Sequence, residues 1–355
     1  MGLKILHSAD WHLDSPFAGF SEEQRQFLKE EQRGLPEKIV QLCRREKCDM
    51  MLLAGALFDS PTPSRDTVER LKQALAHSGV PVLISPGNHD FCGPDSPWTA
   101  ESWPENVFIF TGALESVTIQ GLDCRIYGAG YQSMDCPPLL EDFQAEGEER
   151  YCVAVLHGDP VQSSSPCNPV TTAQVRGSGL DYLALGHIHK AGAFRAGSTL
   201  CAWPGCPMGR GWDETGDKGV CIVTLDGEAQ IQAMSLDSVG FLQETVDVTL
   251  DPMQALEAVL PAVESRDFYR VLLTGSGTVD LPAWRKAFAH LPNLELLDKT
   301  EPPLDVWQDA GEDTLAGVYF QLLRRMMEEN PEIAGRVQLA AEISRKLLSG
   351  REVTL

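Results

Sequence analysis

Several features are scarce in this chain of 355 residues. Its ten cysteines include no Cys-x-x-Cys pair, which argues against a zinc-ribbon or thioredoxin-like site, and reduced thiols fit better. Its apolar runs, such as 50–54, are far too short to cross a bilayer. Basic residues number 29 against 51 acidic ones, for a net charge of −22. This deficit argues against a broadly basic surface that coats nucleic acid, although a local phosphate site with bound cations stays open.

The amino terminus, 1–10, lacks the charged, apolar and small-residue sections of a signal peptide. Together with the short apolar runs, this predicts a soluble, cytoplasmic protein that does not contact a membrane. The apolar content of 43% is too high for a disordered chain. The length predicts two or three domains.

The first 90 residues alternate between strand-like and helical patterns. Because βαβ units place strands in parallel, this alternation predicts a largely parallel sheet, with ligand-binding loops at the carboxyl ends of its strands. Strands are predicted at 4–9, 49–54 and 80–85, and helices at 21–31, 35–47 and 65–77.

Shorter strands follow from 107 onward, and two packed sheets with helices outside account for them economically. A β-α-β-α-β pattern then covers 244–299, and two helices are predicted at 312–329 and 331–349. The predicted fold is therefore of the α/β (α+β) class, with a two-sheet sandwich, a small cap domain and a C-terminal helical pair. The shorter strands are predicted at 107–110, 116–120, 124–127, 151–156, 182–185, 219–225 and 229–235.

Five short polar motifs follow predicted strands. Each alone is a weak signal, because turns with capping aspartates or left-handed asparagine, and buried histidines bonded to carbonyl groups, explain them equally well. Together they place five of the eight histidines at strand ends of one predicted sheet, which favours a metal site over packing. The motif residues are Asp10, His12, Gly55, Ala56, Asp59, Asn88, His89, Asp90, His157, His187 and His189.

In this order the motifs resemble the calcineurin-like metallophosphoesterase superfamily, and within it the SbcD-type DNA repair exonucleases, including the YhaO-like bacterial branch. The resemblance covers about residues 1–235, and its more specific support lies in 4–14, 52–63 and 244–299. It implies a metal-dependent DNA exonuclease subunit of an SbcCD-like repair complex. The implied domains are a catalytic core at 1–240, a DNA-binding-like cap at 241–300, and a linker with helices at 301–355 that contains Pro302 and Pro303.

The resemblance also implies a role for each motif. One metal ion would be bound by residues matching Asp10, His12 and His189, and a second by residues matching Asn88, His157 and His187. Nitrogen and oxygen ligands suit Mn²⁺, and two such ions can activate water while neutralising a phosphodiester.

The remaining motif residues have implied roles next to the two ions. His89 would act as a catalytic group at the scissile phosphate, either as an acid or by stabilising charge, and Asp90 would orient it. Asp59 would be a further polar residue near the site.

One position departs from the family pattern. The family's Gly-Asp-x-x-Asp motif has a first aspartate that bridges both ions, and here that position is Ala56. Two dications about 3.7 Å apart repel by roughly 18 kcal/mol at an effective dielectric of about 20. The second ion is therefore predicted to bind weakly or not at all, and turnover to fall by orders of magnitude. Natural decay usually erodes several ligands, so this pattern favours deliberate inactivation, although the sequence leaves both origins open.

The resemblance implies two partners, DNA and a coiled-coil ATPase of the SbcC type, and leaves a homodimer open. The predicted ATPase contact is the helical pair at 312–349, although a helix folded back on its own cap domain explains the same pattern. Two other functions stay open: a small-molecule phosphodiesterase or phosphatase of the same superfamily, and a catalytically dead subunit that binds DNA ends or scaffolds the ATPase. The apolar positions of the first helix are Leu315, Val318, Tyr319, Leu322 and Leu323.

Overall fold

The computed structural model describes residues 2–301 and 305–350. Pro302 and Pro303, which belong to the predicted linker, lie outside the described residues. The chain divides into two compact units, Met1–Leu242 and Gln243–Leu355. Among the described helices, none combines the length and the apolar content needed to cross a bilayer.

The first unit contains two six-stranded sheets with helices between the strands. Its strands are β1 (Leu3–Ser8), β2 (Met50–Leu53), β3 (Val82–Ile84), β4 (Val107–Ile109), β5 (Glu115–Ile119), β6 (Cys124–Gly128), β7 (Tyr151–His157), β8 (Tyr182–Gly186), β9 (Gly192–Ala196), β10 (Thr199–Trp203), β11 (Gly219–Asp226) and β12 (Glu228–Ser235). Its helices are α1 (Glu22–Arg33), α2 (Leu35–Arg45), α3 (Arg65–Ala76), α4 (Pro97–Ala100) and α5 (Thr172–Gly177), with a 3₁₀ turn at Gln120–Leu122.

Helices α1 and α3 begin at serine residues that cap them. Ser21 accepts a hydrogen bond from the backbone N–H of Gln24, whose side chain bonds back to Ser21, so α1 starts with a capping box. Ser64 caps α3 in the same way through the N–H of Thr67. These caps place both helices between consecutive strands.

Both sheets are mixed, and the strands of the first 90 residues pair in parallel as predicted. Their orders are β12-β11-β1-β2-β3-β4 and β5-β6-β7-β8-β10-β9. Strands β1 to β4 pair in parallel, as do β6, β7, β8 and β10, whereas β11 and β12 pair antiparallel. Gly227, with φ of +81°, turns the chain between β11 and β12, and so tight a hairpin joins only antiparallel strands.

The main core lies between the two sheets. Ile5 and Leu52 of the first sheet and Val155 and Ala184 of the second belong to one fully buried cluster, so the expected packed sandwich is confirmed. His7 of β1 links the sheets, since its Nδ1 lies 2.8 Å from the hydroxyl of Tyr182 and its Nε2 lies 3.1 Å from the carbonyl of Leu185. Burial lowers the pKa of His7 to about 3, which keeps the ring neutral.

The second unit follows the predicted β-α-β-α-β order and ends in two helices. Its sheet has the order β13-β14-β15 and its own core, which includes Val246, Leu256, Val271 and Leu296. Pro331, predicted in the first turn of the last helix, lies in a 3₁₀ turn, Pro331–Ile333, that precedes it. The elements are β13 (Phe241–Asp247), α6 (Pro252–Val259), β14 (Phe268–Thr274), α7 (Leu281–Ala287), β15 (Leu294–Asp298), α8 (Leu315–Glu329) and α9 (Ala334–Leu348).

Candidate metal centre

The motif loops meet at one edge of the sandwich, at the carboxyl ends of β1, β2, β3, β7 and β8. The first two motifs are joined through their backbones: the N–H of Asp10 donates to the carbonyl of Gly55 over 3.0 Å, and the N–H of His12 donates to that of Ala56 over 2.9 Å. These backbone hydrogen bonds hold the two loops together without any contribution from side chains.

The first cluster of side chains contains Asp10, His12 and His189. The Nε2 atoms of His12 and His189 lie 3.1 Å apart, and a carboxylate oxygen of Asp10 lies within 4.8 Å of the histidine ligand atoms. Asp10 and His12 are buried, and His189 is half-buried. The three residues come from the loops after β1 and β8, which lie in different sheets, so the prediction that all five motifs end strands of one sheet is wrong.

The hydrogen bonds of the two histidines determine which nitrogen can bind a cation. His12 Nδ1 lies 3.0 Å from Asp59 Oδ1, and His189 Nδ1 lies 2.6 Å from Glu214 Oε1. Because a carboxylate only accepts, each Nδ1 carries a proton, and Nε2 is the nitrogen that faces the space where a cation would bind. The two Nε2 atoms lie 3.1 Å apart, and a carboxylate oxygen of Asp10 lies within 4.8 Å of both, so nitrogen and oxygen donors converge in a set that fits a divalent ion such as Mn²⁺.

Burial controls the protonation of this cluster. It lowers the pKa of His12 to about 4, although the hydrogen bond to Asp59 opposes the shift. It raises the pKa of Asp10 to about 7, more than the neighbouring His189 lowers it. At neutral pH His12 is therefore an uncharged ligand, and a cation that binds Asp10 must displace the proton that burial favours.

Two residues that the sequence did not predict support His189. Glu214 is buried, and its carboxylate lies 2.7 Å from Arg210 Nη2. Burial alone would raise the pKa of Glu214, but hydrogen bonds from His189 and Arg210 hold it well below its usual range. Both residues lie in an irregular loop between β10 and β11, where no strand or helix pattern indicates a role for them.

The second cluster contains Asn88, His157 and His187. His157 Nδ1 donates to the carbonyl of Ala54 over 2.8 Å, and its Nε2 lies 2.9 Å from Asn88 Oδ1. Burial holds the pKa of His157 well below its usual value, so its Nε2 keeps a lone pair. The ring of His187 lies 5.2 Å from that of His157, and its Nε2 is 3.9 Å from Asp159 Oδ2.

The glycines of the motifs make room for the ring of His157. A Cβ at Gly55 would lie 2.7 Å from His157 Nδ1, and one at Gly87 would lie 2.8 Å from carbon atoms of the same ring. Gly55 also has φ of +81°, which glycine adopts without strain. Larger residues at these positions would displace the ring.

Asp90 has different partners from those predicted. The resemblance implies that it orients His89, but its buried carboxylate is hydrogen-bonded to backbone N–H groups of the two neighbouring loops. Burial raises the pKa of Asp90 despite these bonds. Asp90 is therefore a positioning residue for the loops. The N–H groups are those of Ala56 (3.1 Å), Leu57 (2.8 Å), Phe58 (3.3 Å) and Gly87 (2.8 Å).

His89 lies beside the first cluster. Its ring centroid is 4.6 Å from that of His12, and its Nδ1 is 3.4 Å from the carbonyl oxygen of Asp59. Ligand atoms of His12, Asp59 and His89 also lie within 4.8 Å of one another. The half-buried imidazole of His89 is thus close to the residues of the first cluster, and its contact with Asp59 is long for a hydrogen bond.

Ala56 adopts a conformation that suits aspartate better than alanine. It is buried, and its φ is +47°, in the left-handed region where aspartate, asparagine and histidine are enriched among residues other than glycine. Asp10 and Asp14 adopt the same region in the adjacent loop, with φ of +55° and +70°. An aspartate at position 56 would therefore fit the backbone without new strain.

Similar proteins occur both among curated sequences and among solved structures. Over 264 residues, the chain is 33% identical to the uncharacterized metallophosphoesterase YhaO of Bacillus subtilis (strain 168), a match that covers 70% of this chain and 64% of that protein. The structure of TT1561 of Thermus thermophilus is 13% identical, covers 66% of this chain and 99% of its own, and has a TM-score of 0.39.

A further solved structure, vacuolar protein sorting 29 of Cryptosporidium parvum, is 19% identical over 67% of this chain and 98% of its own, with a TM-score of 0.29. The family model for calcineurin-like phosphoesterases matches residues 3–191, more than half of the chain. This stretch contains both clusters of predicted ligands. The chain therefore belongs to the calcineurin-like phosphoesterase family.

Proposed function

We propose that this protein is a metal-dependent DNA phosphodiesterase of the exonuclease type, with turnover weakened or abolished by Ala56. The observation that carries the metal-dependent chemistry is the first cluster, in which the Nε2 atoms of two histidines lie 3.1 Å apart beside a buried carboxylate. Family membership supports phosphoester hydrolysis.

The side chains would have separate roles in such a hydrolysis. Asp10, His12 and His189 would hold one Mn²⁺, and Asn88, His157 and His187 a second. Bound divalent ions would neutralise charge on the phosphodiester and lower the pKa of water. His89, half-buried beside His12, would give a proton to the leaving oxygen.

Two observations favour different substrates. The resemblance to SbcD-type exonucleases supports DNA, with 1–240 as the catalytic core, 241–300 as the cap and 301–355 as the C-terminal region. The net charge of −22 instead favours a small phosphodiester or phosphate monoester, because DNA affinity depends on basic side chains. The substrate therefore has to be determined by direct comparison.

The Ala56→Asp variant tests activity and substrate together. With Mn²⁺, we expect it to degrade linear duplex or single-stranded DNA faster than bis(p-nitrophenyl) phosphate or mononucleotides. Ala56→Asn is the matched control, because it adds a side chain of the same size without the charge. A preference for the small esters would support the alternative substrate. DNA binding with no turnover in either variant would instead support a pseudo-nuclease.

We also propose that the C-terminal helical pair contacts a coiled-coil ATPase. Phe320 of α8 is fully buried against α9, whereas Leu315, Val318 and Leu322 are 91%, 47% and 51% exposed. Their spacing places these three side chains along one stripe of α8. Replacing Leu315 and Leu322 by serine should weaken association with the ATPase in a pull-down, and unchanged association would exclude this stripe.

A further inference from the structure

Three charged residues outside the predicted ligand set connect the two histidines of the first cluster. Asp59, Arg210 and Glu214, here called the Arg210 clamp, form a continuous series of ion pairs. We propose that the Arg210 clamp positions His12 and His189 for cation binding, with Arg210 as its central positioning residue. This proposal rests on the metal centre of the proposed function, and it adds residues that act through the ligands.

The contacts of Glu214 fix the ring of His189. Glu214 Oε1 lies 2.6 Å from His189 Nδ1 and 2.7 Å from Arg210 Nη2, while its Oε2 accepts the backbone N–H of Arg210 over 2.8 Å. The carboxylate is only 6% exposed, so water offers it few alternative partners. Arg210 Nη2 also lies 3.1 Å from His189 Nδ1, so both residues hold one edge of the ring and direct its Nε2 at His12.

Asp59 does the same for His12. Its Oδ1 accepts from His12 Nδ1 over 3.0 Å and from Arg210 Nη1 over 3.2 Å. The backbone N–H of Asp59 donates to the carbonyl of Leu13 over 2.9 Å, which anchors Asp59 to the loop that carries His12. One guanidinium thus contacts the carboxylates behind both ligand rings.

An arginine suits this position because its planar group presents several N–H donors in fixed directions. Nη1 reaches Asp59 while Nη2 and Nε reach Glu214. A lysine would supply the charge as a single point and could not hold both carboxylates in one geometry. The net charge of Asp10, Asp59 and Glu214 together with Arg210 is −2, which one divalent ion balances.

Arg210 and Glu214 lie beyond the stretch matched by the family model, which ends at residue 191. The later part of the first unit therefore brings its own residues to the cluster. Residues that hydrogen-bond to metal-bound histidines typically change metal affinity by about 10- to 100-fold when they are removed.

The test is Mn²⁺ titration of the full chain, followed by the electron paramagnetic resonance signal of the free ion. We expect Arg210→Met to weaken binding about 10- to 100-fold and Arg210→Lys to restore it only in part. We expect Glu214→Gln, which keeps an acceptor oxygen but loses the charge, to weaken binding about tenfold.

Arg125→Met is the matched control. Arg125 also makes a two-pronged ion pair, with Glu149, at 2.9 Å for each contact, and it is partly buried. It lies on β6 opposite Cys152 of β7, five residues or roughly 16 Å along the strand from His157. Its loss should leave Mn²⁺ affinity unchanged.

A second readout separates positioning from general destabilisation. Co²⁺ bound at saturation should give a visible spectrum that changes in Arg210→Met and stays the same in Arg125→Met. The proposed role of the Arg210 clamp would be wrong if Arg210→Met kept the wild-type Mn²⁺ affinity and Co²⁺ spectrum. It would also be wrong if Arg210→Lys restored the Mn²⁺ affinity in full. If Arg210→Met does not fold, as judged by circular dichroism, Glu214→Gln decides by the same criteria. Absence of Mn²⁺ binding in the wild-type chain would instead overturn the metal centre itself.

Discussion

The two ligand clusters differ in what lies behind their histidines. In the first, His12 and His189 are each backed by a carboxylate, from Asp59 and Glu214. In the second, His157 is backed by the carbonyl of Ala54, and the Nε2 of His187 lies 3.9 Å from Asp159 Oδ2, beyond hydrogen-bond distance. A carboxylate makes its histidine more basic and adds negative charge, so the first cluster suits a dication better than the second, which has no carboxylate among its three predicted ligands.

Ala56 affects the two clusters unequally for this reason. The first cluster keeps the carboxylate of Asp10 and the two carboxylates behind its histidines, whatever residue occupies position 56. The second consists of an amide and two imidazoles, and burial favours the neutral forms of both rings because it lowers the pKa of each. A bridging carboxylate would supply the charge that the second cluster lacks.

The largest expected difference in Mn²⁺ affinity is that between a variant lacking a histidine of the first cluster and one lacking a histidine of the second. His12→Ala should weaken Mn²⁺ binding by at least about 1,000-fold, because it removes a ligand rather than a residue behind one. His157→Ala should leave the affinity of the tightest ion nearly unchanged. Isothermal titration calorimetry of both variants measures the difference, and equal losses would contradict the unequal roles of the clusters.

A carboxylate at position 56 should bring the cation affinity of the second cluster closer to that of the first. Ala56→Asp should raise Mn²⁺-dependent turnover about 100-fold or more, because the carboxylate offsets the repulsion between two dications. The number of bound ions should rise from one to two. The assay is steady-state hydrolysis together with metal analysis. An equal gain in Ala56→Asn would show that charge is not the reason.

Asp90→Asn should affect both clusters alike. The buried carboxylate accepts from backbone N–H groups of the loops after β2 and β3, and asparagine replaces one acceptor oxygen by a donor. We expect the free energy of unfolding to fall by about 2 to 3 kcal/mol. Urea unfolding measures this change, with the Asp95→Asn variant of an exposed aspartate as control. A loss of turnover without any loss of stability would instead support the role beside His89 that the resemblance implies.

The smallest expected effect is a pH dependence confined to the first cluster. Burial raises the pKa of Asp10 to about 7, and the proton must leave before the carboxylate binds a cation. Mn²⁺ affinity should therefore rise about tenfold per pH unit below about pH 7 and level off above it. Titrations between about pH 5.5 and about 8 test this, and Asp10→Asn should flatten the profile. A slope that persists in Asp10→Asn would assign the proton to another group.

The sequence indicated where the motif residues lie, because each is at the end of a strand or just after it. Parallel pairing brings Asp10 and Asn88 to one edge of the first sheet, and His157 and His187 to one edge of the second, and the packing of the two sheets then brings both pairs together. The residues behind them could not be predicted in this way. Arg210 and Glu214 lie in an irregular loop, and nothing in their spacing indicates that they face His189.

The fold, like the site, could be predicted where the signal in the sequence is local. The buried strands and capped helices of the first half match the predicted elements, because apolar runs and caps act locally. The β9–β10 hairpin was missed, although Gly197 and Ser198 between two short apolar runs are a typical two-residue turn. The partners of Asp90 were also unpredictable, since they are backbone groups whose positions depend on the folded loops.

The most direct test of the metal centre is an anomalous-scattering map from crystals of the unaltered protein soaked in Mn²⁺. The account predicts one strong peak between Nε2 of His12 and Nε2 of His189, next to Asp10, and a weak peak or none beside Asn88 and His157. A strong peak at the second cluster alone, or no peak at either, would contradict it.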